Sequence, residues 1–184
     1  MTLTNIHLWT VEDYHRMIEA AILTTDDRVE LLEGQIIEKS FQNAPHAATI
    51  QRASDYLRSL LSGRATIRVQ LPITLPPNSE PEPDIALVRV DSRDYFEGHP
   101  RAKDIFLVIE IADTTLRVDP RKALIYARAK IPEYWILDLN NQQVYRYCNP
   151  AENNYQQETI LVGDISVSLV IFPQVKIQVS SLFP

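Results

Sequence analysis

The chain is poor in the residues that usually announce a chemistry. It has one cysteine, Cys148, in 184 residues; no internal disulfide can form, and the usage fits a reducing cytoplasm. Cys148 itself reads as a semi-buried strand residue rather than a catalytic thiol. Four histidines occur, His7, His15, His46 and His99. None has the paired spacing of metal ligands, and no Cys/His zinc pattern exists. The four glycines are scattered, which excludes a glycine-rich phosphate loop, and there is no Gly-x-Ser-x-Gly turn. No apolar run is long enough to span a membrane. The start, Met1 to His7, lacks the basic patch and apolar stretch of a secretion signal. Lys and Arg number 18 against 24 Asp and Glu, for a net charge of −6. That deficit argues against a broad phosphate-binding surface.

What is present suits one domain around a single sizeable core, with 45% apolar residues. The charge is uneven. From Arg101 to Lys130 seven basic residues face four acidic ones, which describes either a basic rim or a solvated helix face. A first helix is expected from a Thr10 cap, with an apolar stripe through Val11, Tyr14, Met17, Ile18, Ala21 and Ile22. A hairpin follows, turning at Glu33-Gly34. A second helix runs from about Pro45 to Ser62, with Gly63 as its C-terminal cap and Ala47, Ile50, Ala53, Leu57, Leu60 and Leu61 at helical spacing. A strand over Thr66 to Leu71 leads into a proline-rich link, which delivers Asp84 to the next strand. A third helix, capped by Asp119 and with Pro120 first, should reach Lys130. Later strands are expected at Tyr134–Asp138, Gln143–Tyr147 and in the tail. Strand, helix and strand over residues 105 to 138 predict a parallel crossover, and the fold class is α/β with a mixed sheet.

One residue is out of place by these rules. Glu110 sits in the apolar run Ile105-Phe106-Leu107-Val108-Ile109-Glu110-Ile111-Ala112, which reads as a buried central strand. A carboxylate there needs a cation, hydrogen bonds or a proton. Asp84 opens a neighbouring apolar strand. Lys122 lies in a helix's first turn, where the dipole disfavours a cation, so a pair of carboxylates would offset it. Mg²⁺ takes one or two carboxylates plus waters and substrate phosphate. Asp84 and Glu110 meet that need, with the Ile111 carbonyl as a third ligand. Glu30 either joins the site through water or pairs with Arg28 or Arg52. His46 is either a helix-start residue or a phosphate and proton-transfer group. Gln70 is either a donor to the site or a structural amide. His46, Gln70 and Arg121 are the substrate-binding candidates.

Pro83-Asp84, Val108-Ile109-Glu110-Ile111 and Asp119-Pro120-Arg121-Lys122 resemble the motif order of the PD-(D/E)xK nuclease superfamily. More narrowly, Val29-Glu30-Leu31-Leu32-Glu33-Gly34, Pro45-His46, Glu82-Pro83-Asp84-Ile85-Ala86 and the run from Tyr126 to Trp135 resemble the "putative restriction endonuclease" family called Uma. The resemblance covers nearly the whole chain. It implies a restriction endonuclease-like core, a mixed central β-sheet flanked by helices with additional hairpins, and DNA phosphodiester hydrolysis with Mg²⁺ or Mn²⁺. It makes Asp84 and Glu110 metal ligands, Lys122 the active-site lysine and Glu30 an additional acid. Ala112 stands where the superfamily's usual lysine would be, and the lysine comes instead from the following helix.

Two functions follow as expectations. One is a metal-dependent DNA endonuclease. The other is a nuclease-fold binding or regulatory module without turnover, in which the same cluster is a structural network. Trp135, Tyr145 and Tyr147 either seal a homodimer or pack against the chain's own tail.

Overall fold

A helix-and-hairpin unit leads the chain into a six-stranded sheet. The computed structural model describes residues 6–112 and 120–184; the expected Asp119 cap, and Asp113 and Arg117 of the basic segment, lie outside them. Helix α1 (Val11–Glu19) starts at Thr10 as expected. The Thr10 hydroxyl accepts from the Asp13 N–H at 3.1 Å, and the Asp13 carboxylate accepts from the Thr10 N–H at 3.1 Å. This reciprocal box satisfies two otherwise orphaned donors. The apolar stripe is shorter than expected. Val11 and Tyr14 are buried, but Ile18 and Ile22 are 48% and 69% exposed. The helix ends at Glu19, and Ala21 turns at φ 54°, so the later positions never reach the surface that receives Val11 and Tyr14.

That surface is the hairpin of β1 (Val29–Leu32) and β2 (Gln35–Glu38), which pair antiparallel. Both turn residues have positive φ, 48° at Glu33 and 79° at Gly34, the geometry of a type I′ turn. Gly34 is required twice over, because a Cβ there would stand 2.6 Å from the Leu8 side chain. Helix α2 (Ala44–Leu61) is capped by Asn43, whose side chain accepts from the His46 N–H at 3.0 Å. Thr49, Ile50, Ala53, Ser54, Leu57 and Leu61 form its buried face. The expected Ala47 is exposed, because it lies outside the helix face that carries the buried residues.

The main sheet runs in the order β3 (Thr66–Val69), β4 (Ile85–Val88), β5 (Ile105–Ala112), β6 (Glu133–Asp138), β7 (Gln143–Pro150), β8 (Tyr155–Val162). Only β5 and β6 are parallel, joined across α3 (Pro120–Arg128); every other adjacent pair is antiparallel. The mixed α/β class is therefore the one expected. The third strand stops two residues early because Gln70 adopts φ 51°, and α3 stops at Arg128, with Lys130 at φ 61°. A small pair, β9 (Ser166–Ser168) with β10 (Lys176–Gln178), closes the tail.

Strands β5 and β6 are buried at every residue, which is why their sequences do not alternate. One face packs under α2 and the tail, with Leu57, Leu107, Ile109, Trp135 and Ile177. The other packs under α3, with Val108, Ala112, Tyr126, Tyr134 and Ile136. Trp135 is fully buried in the first core, so it packs against the chain's own tail and is not a dimer contact. Cys148 is likewise buried on β7. Beside it Glu133, fully buried, accepts from Arg146 Nε at 2.8 Å, Trp135 Nε1 at 3.3 Å and the Val170 N–H at 2.5 Å. That network ties β6, β7 and the tail together. Among the described residues no helix is long and apolar enough to cross a membrane.

Candidate active site

Three elements end at one place. Ile85 pairs with Ile109 in the antiparallel β4–β5 ladder, so Asp84, just before β4, and Glu110, near the end of β5, occupy the same end of the sheet. Helix α3 crosses that end in its first turn, and Lys122 is its third residue. All three side chains are buried, at 9% for Asp84, 7% for Glu110 and 8% for Lys122. Burial on this scale demands partners, and they are present. Lys122 Nζ donates to Glu110 Oε1 at 3.0 Å and lies 3.1 Å from Glu30 Oε1. The unfavourable position of a lysine at a helix N-terminus is thereby offset by two carboxylates.

Glu30 takes neither of the arginine partners that were its alternative. Its Oε2 accepts the Glu82 N–H at 3.0 Å, and its Oε1 faces Lys122. The hairpin thus reaches the site directly through the ammonium. Asp84 is held from three sides. Its Oδ2 accepts the Ile111 N–H at 2.8 Å, and its Oδ1 meets His46 Nε2 at 3.0 Å and Gln70 Nε2 at 3.4 Å. His46, at the start of α2, and Gln70, in the turn after β3, are therefore both joined to the aspartate. Arg121 reaches the hairpin: its Nη1 donates to Gln35 Oε1 at 2.9 Å.

Sequence reasoning gave Tyr126 no role in the site. Its hydroxyl donates to Glu110 Oε1 at 2.9 Å. The signal was the spacing, since Tyr126 lies four residues after Lys122 and so on the same face of α3. Lys39 was also missed. It pairs with Glu82, two residues before Asp84, and nothing in its local sequence points there. Tyr126 packs edge-on to Tyr134 at 5.1 Å, and Tyr134 stacks on Tyr147 at 5.6 Å. This aromatic wall keeps water from the inner side of Glu110.

The electrostatics follow from the burial. Glu110 is pushed up to about 7, first by desolvation and then by the neighbouring Asp84 and Glu30 carboxylates, against the downward pull of Lys122. Burial alone would lower Lys122, but Glu110 and Glu30 outweigh it and hold the ammonium above the ordinary lysine range. Lys122 is therefore a fixed cation and hydrogen-bond donor. It is not a base.

Whether a divalent cation fits can be judged from the oxygens. Both hydrogen bonds to Glu110 fall on Oε1, and Oε2 accepts none from the described residues. Ile111 presents its N–H to Asp84, while the next carbonyl, that of Ala112, accepts from Leu139 on the β6 side. A strand residue faces both its polar groups to the same neighbour, so the Ile111 carbonyl opens toward Asp84. Among the described residues no group of three or more His, Cys, Asp or Glu side chains could hold a metal ion. A set of two carboxylates and a carbonyl nevertheless suits Mg²⁺, which keeps several waters.

The chain matches the family described as "Uma2: Putative restriction endonuclease" over residues 11–180. The chain belongs to this family. The matched span takes in the hairpin, both buried strands and α3, so every residue of the cluster lies within it. In fold, the chain is similar to a solved structure described as a "putative nuclease belonging to DUF820", from Anabaena variabilis ATCC 29413. The TM-score is 0.75 with 18% identity, covering 95% of this chain and 97% of that one. Identity that low speaks for the fold, and the fold is the nuclease-like one expected. No curated protein matches the chain in sequence.

Proposed function

We propose that this Uma2 protein is a metal-dependent endonuclease that hydrolyses DNA phosphodiester bonds. The observation that carries the reading is the convergence of Asp84, Glu110 and Lys122 from two strands and a helix. Asp84, Glu110 and the Ile111 carbonyl would hold Mg²⁺ or Mn²⁺. The bound cation would supply positive charge against the phosphate and lower the pKa of a water. Lys122 orients the attacking water and stabilises charge developing on the phosphoryl oxygens. Glu30 fixes the ammonium from the hairpin side. Tyr126 fixes Glu110 Oε1, so that the carboxylate presents its other oxygen. His46 and Gln70 hold Asp84 and stand where they would meet substrate, with Arg121 on the adjoining rim.

A second reading is a nuclease-fold binding module in which the cluster is purely structural. The net charge of −6 and the small ligand set favour it. Purified protein incubated with plasmid, linear and single-stranded DNA, with Mg²⁺ or Mn²⁺, separates the two. The nuclease reading expects cutting that disappears in Asp84→Ala and Lys122→Ala. Cutting that survives both substitutions, or a folded protein that cuts nothing, would overturn it.

A further inference from the structure

Phe41 is the most exposed large apolar side chain among the described residues, at 89%. A lone exposed hydrophobe is ordinary, but two features in combination set this one apart. The first is its mounting. Two residues before it, Lys39 pairs with Glu82, and five residues after it, His46 meets Asp84 at 3.0 Å. Asn43, between them, caps α2. The loop that carries Phe41 is therefore anchored on both sides to the segment that holds Asp84.

The second feature is a cation behind the ring. The Arg28 guanidinium lies over Phe41, 4.8 Å from the centroid, and Arg28 Nη2 donates to the Ser40 carbonyl at 3.4 Å. One face of the ring is thus covered by a guanidinium while the other is open to solvent. A phenyl face with a cation beside it is the chemistry that receives an unstacked nucleobase and its phosphate. A base inside a duplex has no free face to offer.

We infer that Phe41, backed by Arg28, is a stacking platform for an unpaired base next to the scissile phosphate, so that single-stranded or locally melted DNA is the preferred substrate. This rests on the nuclease reading above. Phe96 supplies an internal control. It is 81% exposed with Arg93 5.3 Å from its ring centroid. It lies in the loop beyond Val88, at the opposite end of β4 from Asp84.

The test is fluorescence anisotropy with a short fluorescein-labelled single-stranded DNA and its duplex, with Ca²⁺ replacing Mg²⁺ to hold back cutting. Phe41→Ala should weaken single-strand binding by about tenfold to a hundredfold, with the slope of affinity against salt unchanged because no phosphate contact is lost. Phe41→Trp should retain the affinity, and Phe96→Ala should match wild type. A single strand carrying 2-aminopurine should be quenched by wild type and not by Phe41→Ala. Equal binding by Phe41→Ala and wild type, equal losses in Phe41→Ala and Phe96→Ala, or equal losses on strand and duplex would each overturn the inference. If wild type still cuts DNA, the nuclease reading survives that failure. If wild type neither binds nor cuts any DNA, both fall.

Discussion

Among the described residues, the buried Glu110 carboxylate accepts hydrogen bonds from Lys122 and Tyr126, both on Oε1. The same burial makes the pairing energetically tense. Lys122→Met should cost about 3–5 kcal/mol, because it leaves two buried carboxylates uncompensated. Adding Glu110→Gln should recover part of that loss, since the remaining charge is then reduced. Urea unfolding of wild type, the single variant and the double variant checks this; a double variant less stable than Lys122→Met would contradict the pairing.

Cys148 gives a second prediction at the residue scale. Burial first, and then the Glu133 carboxylate, push its thiol up to about 11. A thiol raised in the folded state stays protonated until pH passes that value, whereas the unfolded thiol ionises near its ordinary value. The folded protein should therefore resist iodoacetamide at pH 8 and react rapidly once unfolded, with labelling followed by mass. The same linkage means that folding stability falls as pH rises from about 9 toward 11, because only the unfolded chain releases the proton easily over that window.

Among the elements, the β1–β2 hairpin has the most demanding geometry, and it carries Glu30 to Lys122. Its turn needs two consecutive positive φ values, and only Gly34 meets this without a Cβ penalty. Gly34→Ala should cost about 1–2 kcal/mol from the backbone alone, with more from the contact with Leu8. Thermal melting reads the loss, and a melting temperature unchanged from wild type would show that Leu8 and the turn give way freely. Much of this hairpin was legible in the sequence, since Glu33-Gly34 between two apolar runs is a strong local signal. The end of α1 was not. Ile18 and Ile22 continue a helical period, yet the chain leaves the helix at Ala20, and a period alone cannot tell which neighbour will receive it. Trp135 shows the same limit. Its β6 strand was evident, but its burial against the tail depends on residues some forty positions further on.

For the whole molecule, the sheet was readable because β5 and β6 are apolar throughout, and a strand buried on both faces can only be central. The same logic exposed Glu110 as the misplaced charge, and Asp84 and Lys122 as its company. What the sequence did not disclose were contacts across long separations: Glu30 to Lys122, Lys39 to Glu82, and the joining of His46 and Gln70 at Asp84. Those depend on how the hairpin and α2 dock on the sheet's end, which no local pattern encodes.

On the proposed reading, this end of the sheet holds a divalent cation and cuts DNA. The most direct test is single-turnover cleavage of DNA by wild type and Asp84→Asn, which removes one ligand charge with almost no change in shape. With Mg²⁺ present, wild type should cut, and Asp84→Asn, folded by melting temperature, should be slower by about a hundredfold or more. Equal rates from the two proteins would contradict the assignment.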